Sequence, residues 1–307
     1  MSTEQGLPGR PAARAAAKGA TLTLTLSDPA RRNALGPELM ESLLDELDRF
    51  AADSRLRVLV LTGDGSAFCS GANVQNMAAR IDEARREPGP PNCQARDPWT
   101  ELDPQFSTRT GGDARLGPEV VRRLQTLRKP SIAAVNGPAY GLGCGLALSC
   151  DVRIAGDSAR FSEAFVRNGL VPGDGSTWQL PKLIGLGNAL WMAYTGEVVS
   201  ADEALRIGLV KRVVPDSELM ESAQAMAEQL ADGPIFTMGM IKQLMLQSFG
   251  QDLPSQLLLA SRAQDIARAG PEHAEGVRAF LEKRRPDFRA LPGWADARTD
   301  EETDASP

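Results

Sequence analysis

Two glycine-bearing segments of this chain have the residue types that bring backbone N–H groups to a ligand oxygen. Residues 59–77 read LVLTGDGSAFCSGANVQNM, and residues 129–151 read KPSIAAVNGPAYGLGCGLALSCD. In each, an apolar run typical of a buried strand ends in small residues, and the second segment continues into a helix. Glycine permits close backbone approach, and helix N-termini favour negative charge. Two N–H groups directed at one oxygen would form an oxyanion hole; two tight turns that bind nothing are the alternative.

Neither segment matches a nucleotide-binding motif. The glycine spacing in GLGCGL differs from the dinucleotide-binding pattern, and neither segment has the Gly-Lys-Ser/Thr of a phosphate-binding loop.

Glycine in a helix costs about 1 kcal/mol relative to alanine. The three glycines at 141, 143 and 145 therefore need another reason, namely that something approaches the backbone closely there.

The composition excludes several chemistries. The chain has one histidine, His273, at the start of a polar helix, so a two-histidine metal site is impossible and a Ser-His-Asp triad would depend on that residue. The cysteines (Cys69, Cys93, Cys144 and Cys150) lack zinc-ligand spacing, which predicts reduced thiols, no metal and a cytoplasmic protein. A net charge of −6 argues against nucleic-acid and anionic-membrane surfaces. No apolar run reaches the length of about 18 residues that a membrane span needs.

The hydrophobic pattern predicts an α/β core followed by helices. Strands are expected at 20–27, 57–63, 131–137 and within 151–164, and helices at 37–53, 117–129 and nearly everywhere from 185 onward. The chain is accordingly divided into a disordered leader (1–19), a core (20–215), a C-terminal helical region (216–286) and a disordered acidic tail (287–307).

Five collinear segments make the chain resemble the enoyl-CoA hydratase/isomerase (crotonase) superfamily. They are GSAFCSGANVQNM, KPSIAAVNGPAYGLGCGLALSCDVRIAG, ARFSEAFVRNGLVPGDGSTWQLPKLIG, TGEVVSADEALRIGLVKRVVP and FLEKRRPDF. The resemblance covers roughly residues 20–288. The resemblance implies a crotonase-type spiral of β-β-α units, an acyl-CoA substrate, and a helical C-terminal region that forms a trimer or a hexamer of two trimers. It implies no cofactor apart from the coenzyme A of the substrate.

The resemblance also implies roles for individual residues. The N–H groups of Ala72 and Leu142 would form the oxyanion hole, with Gly71 and Gly141 beside them. Two further sets would contact substrate. Arg31, Arg32 and Lys283 would reach coenzyme A unless they are only solvated charges. Met77 and Ala79 would line the acyl pocket unless they are core residues, and Phe165 would also contact the substrate.

Both glutamates of typical hydratases are absent by this alignment, since Gly145 and Phe165 stand at their positions. Two nearby carboxylates are candidates for acid–base work. Asp174 lies in a glycine turn, one residue after the position where relatives carry a working aspartate, and would otherwise stabilise that turn. Glu163, two residues before Phe165, would share a strand face with it, and would otherwise be a surface or salt-bridged residue.

These features favour isomerisation, or a specialised reaction, over simple hydration. Two alternatives stay open: a hydratase with relocated carboxylates, and a non-catalytic CoA-binding or scaffold protein. Tyr140 and the thiols of Cys69 and Cys144 are interpreted as packing residues.

Overall fold

The computed structural model describes residues 10–72, Asp82, Arg86 and 116–291. Ten helices and nine strands carry labels below. The strands are β1 (Ala12–Lys18), β2 (Thr21–Ser27), β3 (Val58–Gly63), β4 (Ser131–Val135), β5 (Pro138–Tyr140), β6 (Val152–Gly156), β7 (Arg160–Ser162), β8 (Val199–Ser200) and β9 (Arg212–Val214). The helices are α1 (Pro37–Ala52), α2 (Leu116–Thr126), α3 (Leu142–Ser149), α4 (Ser176–Ile184), α5 (Leu186–Thr195), α6 (Ala201–Arg206), α7 (Leu219–Ala231), α8 (Ile235–Gln247), α9 (Leu253–Arg268) and α10 (Pro271–Leu281).

The chain forms two sheets, and successive turns of its spiral contribute strands to both. The larger has the order β1-β2-β3-β4-β6-β9, antiparallel between β1 and β2 and parallel elsewhere. The smaller has the order β5-β7-β8, parallel between β5 and β7 and antiparallel between β7 and β8. Since β4 is followed by β5 and β6 by β7, consecutive turns each add one strand to each sheet. This is the β-β-α spiral that the resemblance predicts.

The centre of the larger sheet, at β3 and β4, is covered on both faces, which explains why these two strands are apolar throughout. All residues of β3 and β4 are buried. Leu59, Leu61 and Ala133 pack with α1 and α3, whereas Val58, Val60 and Ile132 pack against α7. Side chains alternate between faces along a strand, so a strand covered on both faces is apolar throughout.

Two predicted boundaries were wrong, one at each end of the core. Ala12–Lys18, assigned to a disordered leader, forms β1, which is held by backbone pairing to β2 although only Ala13 of it is buried. Helix α7 belongs with the core and not with a separate C-terminal region, because Ala223, Ala227 and Ala231 lie fully buried on the sheet. Strand β9 lies within the predicted core, in a stretch where helix was expected nearly throughout, and it completes the sheet.

The first residues of the predicted disordered acidic tail are held by contacts with the rest of the protein. The Asp287 N–H donates to Glu275 Oε1 at 2.8 Å, and Arg289 pairs with Asp232 at 2.8 Å. Residues 1–9 of the leader and 292–307 of the tail lie outside the described residues.

Candidate active site

The two glycine-bearing segments lie side by side beyond the carboxyl ends of β3 and β4. Cys69 and Ala139 form a β-bridge in which the Cys69 N–H donates to Pro138 O and the Tyr140 N–H donates to Cys69 O, both at 3.0 Å. Segments about 70 residues apart in the chain therefore share one short stretch of backbone pairing. This pairing sets the positions of Ala72 and Leu142.

Two glycines make the contact between these segments possible. Gly71 has a φ of 99°, and a Cβ added to it would lie 2.7 Å from Tyr140 O and 3.8 Å from Leu142 N. A Cβ on Gly143 would lie 2.9 Å from the carbonyl carbon of Cys69. Either side chain would push the segments apart, so the glycines allow the Ala72 and Leu142 backbones to converge.

The start of α3 presents a backbone donor without a partner in the helix. Leu142 is the first residue of α3, and its N-cap, Gly141, has φ 50° and ψ −121° and supplies no side-chain bond. N–H groups in the first turn of a helix have no intrahelical acceptor. Among the described residues, no hydrogen bond uses the Ala72 N–H. The geometry is therefore compatible with two donors serving one external oxygen.

Two asparagines that were not singled out in the sequence, the buried Asn33 and the half-buried Asn136, hold the loop leading to Ala72. Asn33 is fully buried with a φ of 57°; its Nδ2 donates to Asp64 O and Ala67 O at 2.9 and 2.8 Å. Asn136 Nδ2 donates to Gly63 O at 2.9 Å, and its Oδ1 accepts from the Gly63 N–H at 3.1 Å. Asparagine tolerates positive φ better than most residues, but the sequence carries no sign of these long-range partners.

Phe165 lies over the beginning of α3. Its ring carbons are 3.7 Å from the position that a Gly141 Cβ would take, and the Gly141 N–H donates to Ser162 O at 2.8 Å. Phe165 belongs to a short 3-10 helix, Ala164–Asn168, and Glu163 is the N-cap of that helix. The prediction that Glu163 and Phe165 share a strand face was therefore wrong, because β7 ends at Ser162.

Glu163 is buried, and no partner among the described residues compensates its charge. It is 0% exposed, and neither carboxyl oxygen has a regular hydrogen bond among the described residues. Burial, and next the charge of Asp174, raise the pKa of Glu163 to about 8, and weaker contacts with Cys144 and Ser176 only partly oppose this. A carboxyl group with such a pKa is mostly protonated at neutral pH. Glu163 is neither the surface residue nor the ion-paired residue considered from the sequence.

Asp174 is also buried, but one of its oxygens is held. Oδ1 accepts from the Ser176 hydroxyl at 2.7 Å and from the Ser176 N–H at 3.1 Å, as a turn-stabilising aspartate would. Oδ2 is buried and has no partner among the described residues. Burial raises the pKa of Asp174, and the Ser176 bonds oppose that rise.

The carboxyl group of Asp174 occupies the space beside Gly145. A Cβ on Gly145 would lie 2.5 Å from Asp174 Cγ and even closer to Oδ2. Hydrogen bonds also fix the backbone of Gly145. The Ser149 hydroxyl donates to its carbonyl at 2.6 Å, and Gln179 Nε2 donates to Ser149 Oγ at 3.2 Å. The glycine at 145 thus gives room to a carboxyl group that comes from a different element.

The thiols near the site are unsuited to nucleophilic work. Cys69 and Cys144 are buried, and burial raises the pKa of Cys69 to about 12 and that of Cys144 well above its usual value. A nucleophilic cysteine needs a lowered pKa, because the thiolate is the reactive form. Tyr140 is only half-buried.

Of the remaining predicted residues, some lie next to the site and others do not. Arg31 and Arg32 are exposed, and their carbonyls accept from the Ser70 hydroxyl and the Ser70 N–H at 3.0 and 2.9 Å, next to Gly71. Lys283 is exposed just after α10, and no described contact brings it to this site. Met77, Ala79 and Cys93 lie outside the described residues.

The described part of the chain has neither a metal-binding cluster nor a membrane-spanning helix. No group of three or more histidine, cysteine, aspartate or glutamate side chains could hold a metal ion there. No described helix combines the length and apolar character needed to cross a membrane.

The spiral fold, with glycine-dependent backbone donors and buried carboxyl groups at one place, defines an enzyme of the crotonase class. The sequence model of the enoyl-CoA hydratase/isomerase family matches residues 16–102 and 114–290. The chain belongs to this family, whose enzymes process acyl-CoA thioesters.

Curated relatives carry both kinds of activity in their names. The 1,2-epoxyphenylacetyl-CoA isomerase of Escherichia coli is 36% identical over 267 residues, covering 87% of this chain and 94% of the relative. The 2,3-dehydroadipyl-CoA hydratase of the same organism is also 36% identical, over 270 residues, with 87% and 94% covered. Among solved structures, an enoyl-CoA hydratase from Bacillus anthracis superposes with a TM-score of 0.78 at 30% identity, covering 91% of this chain and 99% of that one.

Proposed function

We propose that this protein is an enoyl-CoA isomerase-type enzyme that moves a proton along the acyl chain of a CoA thioester. The thioester oxygen accepts hydrogen bonds from the Ala72 and Leu142 N–H groups, which stabilise the enolate that forms when a carbon-bound proton leaves. Asp174 takes that proton and Glu163 returns one to another carbon. No cofactor is needed beyond the coenzyme A of the substrate.

The observation that carries this proposal is a pair of buried carboxyl groups: Asp174 lies beside Gly145, and Glu163 is close enough to interact with Asp174 and with Cys144. Glu163, with a pKa of about 8, is protonated at neutral pH and suits a general acid. Asp174 suits the base, because burial raises its pKa and thus its proton affinity, while the Ser176 bonds oppose that rise and favour the ionised form. Two carboxyl groups whose environments separate their protonation states provide one acid and one base.

Relatives by themselves do not decide between isomerase and hydratase, because an isomerase and a hydratase match with equal identity. The residues favour isomerisation. Gly145 and Phe165 stand where the resemblance places the two glutamates of hydratases, and neither can position or protonate water. Ala72, Leu142 and a carboxyl pair are sufficient for a proton shift, which consumes no water.

The direct test compares two reactions of the purified protein. A 3-enoyl-CoA should be converted to its 2-enoyl isomer, and hydration of crotonyl-CoA should be much slower. Asp174→Asn should lower isomerisation by about 10²–10⁴-fold, the usual contribution of a general base, without weakening CoA binding. Glu163→Gln should lower it as well.

The matched control is Asp202→Asn, which neutralises an exposed aspartate at the start of α6 and should leave turnover unchanged. Crotonyl-CoA hydration faster than isomerisation would replace the proposal with the hydratase alternative. Tight CoA binding without turnover of either substrate would favour the scaffold alternative.

We also propose that the protein assembles as a homotrimer or hexamer through its C-terminal helices. Helix α9 has no buried residue, and Leu253, Leu257 and Leu258 on it are 70%, 60% and 55% exposed in the single chain. Leucines grouped in this way are typical of a surface that another subunit covers. The unpaired, buried thiols of Cys69, Cys144 and Cys150 support the prediction of a cytoplasmic location.

A further inference from the structure

Gly145 lies in a position where its own backbone gives no reason for glycine. It is in the interior of α3, and its φ is not positive, so any residue could adopt its conformation. Glycine weakens a helix relative to alanine, and its neighbours Cys144 and Leu146 are ordinary buried side chains. A reason must therefore come from what lies against it.

What lies against Gly145 is the carboxyl group of Asp174. The position of a Cβ at 145 is 2.5 Å from Asp174 Cγ and 3.1 Å from Ser176 Oγ. Asp174 cannot easily withdraw, because Ser176 holds its Oδ1 and the following Gly175, with a φ of 88°, forms the tight turn into α4. Ser149 and Gln179 hold the other side of the contact through the Gly145 carbonyl.

We infer that Gly145 determines the reaction by giving Asp174 its place: a side chain on α3 at this position and the Asp174 carboxyl group exclude each other. The acid–base group can come from α3 or from the turn before α4, but not from both. This inference rests on the proposed function for the role of Asp174. Its steric part stands without that role.

The exclusion is tested by a cycle of Gly145→Ala, Asp174→Ala and the double variant, measured by thermal unfolding, CoA binding and 3-enoyl-CoA turnover. Gly145→Ala should lower the unfolding temperature and reduce turnover at least about tenfold, because the methyl group displaces the Asp174 carboxyl group. The double variant should unfold at the temperature of Asp174→Ala, since the obstacle has gone, but should stay inactive.

Gly187→Ala is the matched control. Gly187 is in the first turn of α5, and a Cβ there meets nothing within 4 Å. It should raise the unfolding temperature slightly and leave turnover unchanged. If Gly145→Ala behaves like Gly187→Ala, or if the two effects at 145 and 174 simply add, the exclusion is refuted.

A second pair tests the choice of reaction. Gly145→Glu combined with Asp174→Gly returns a carboxyl group to α3, and its crotonyl-CoA hydration should exceed that of Asp174→Gly alone. No increase, in a protein that still binds CoA, would refute the link to reaction type. If the unaltered protein isomerises no enoyl-CoA, the proposed function fails, whereas the unfolding temperatures still decide the steric exclusion.

Discussion

Helices α3 and α9 are both rich in apolar residues, yet they differ sharply in how much of them is buried. Seven of the eight residues of α3 are buried, whereas none of the sixteen residues of α9 is. Around α3, the neighbouring backbone and side chains come so close that glycine is required at 143 and 145. Around α9, leucines face outward. Residues of the same chain bury α3, whereas α9 has an exposed apolar surface that fits the proposed neighbouring subunit.

The largest effect should come from removing one backbone donor of α3. Leu142→Pro deletes the N–H at the first helical position, where proline is tolerated, and should lower turnover by about 10²–10³-fold, as loss of an oxyanion-hole donor does. Leu142→Ala, which keeps the N–H, is the control and should retain most activity. Steady-state kinetics on a 3-enoyl-CoA measure both. Equal losses in the two variants would show that the side chain matters and the donor does not.

The next effect concerns α9. A buried leucine contributes about 2 kcal/mol, so Leu257→Glu should weaken subunit association about 30-fold if the helix lies in an interface. Light scattering across a dilution series should show the unaltered protein at three or six chains and the variant dissociating at higher concentration. Ala225→Glu, on an exposed position of α7, is the control. A monomeric unaltered protein at micromolar concentration would contradict the assembly.

A smaller effect concerns pH and the stability of the α3 region. The pKa of Glu163 rises from 4.5 to about 8 on folding, so the folded state binds more protons than the unfolded state between these values. The free energy of unfolding should therefore fall as pH rises through this window, by at most about 1.4 kcal/mol per pH unit. The raised pKa of the facing Asp174 acts in the same direction, and the Cys144 thiol stays neutral.

Glu163→Gln should flatten this dependence, because the amide does not titrate. Its stability relative to the unaltered protein should be greatest near pH 8 and smallest near pH 5, as measured by denaturant unfolding at a series of pH values. An unchanged slope in the variant would mean that Glu163 is ionised throughout.

The smallest effect should be on coenzyme A affinity. Arg32→Ala removes an exposed charge beside Ser70, and exposed ion pairs contribute about 0.2–1 kcal/mol, so KM should rise up to about fivefold and less at high salt. Arg206→Ala, an exposed arginine paired with Glu203 on α6, is the control. The same measurement on Lys283→Ala asks whether that residue reaches coenzyme A in the assembled protein.

Much of the fold could be predicted from local pattern alone. The buried strands at β3 and β4 and the apolar face of α1 follow from residue periodicity, and the structure places them within a few residues of the expected bounds. Strand β1 could not be predicted, because Ala12–Lys18 is alanine-rich and its pairing with β2, not its composition, makes it a strand. Helix α7 was expected, but its place in the core depends on alanines that fit the sheet surface.

Within the site, the sequence by itself determined where the backbone must be bare and which two carboxyl groups were available. Spacing along the chain is enough for that, because glycines at a strand-to-helix turn indicate, from the local sequence alone, that another group approaches the backbone closely. Only the tertiary structure decided that the Asp174 carboxyl group fills the space beside Gly145 and that Glu163 is buried with no hydrogen-bond partner among the described residues. Both outcomes depend on contacts between residues 11 to 29 positions apart, where volume and desolvation act through packing that no local pattern specifies.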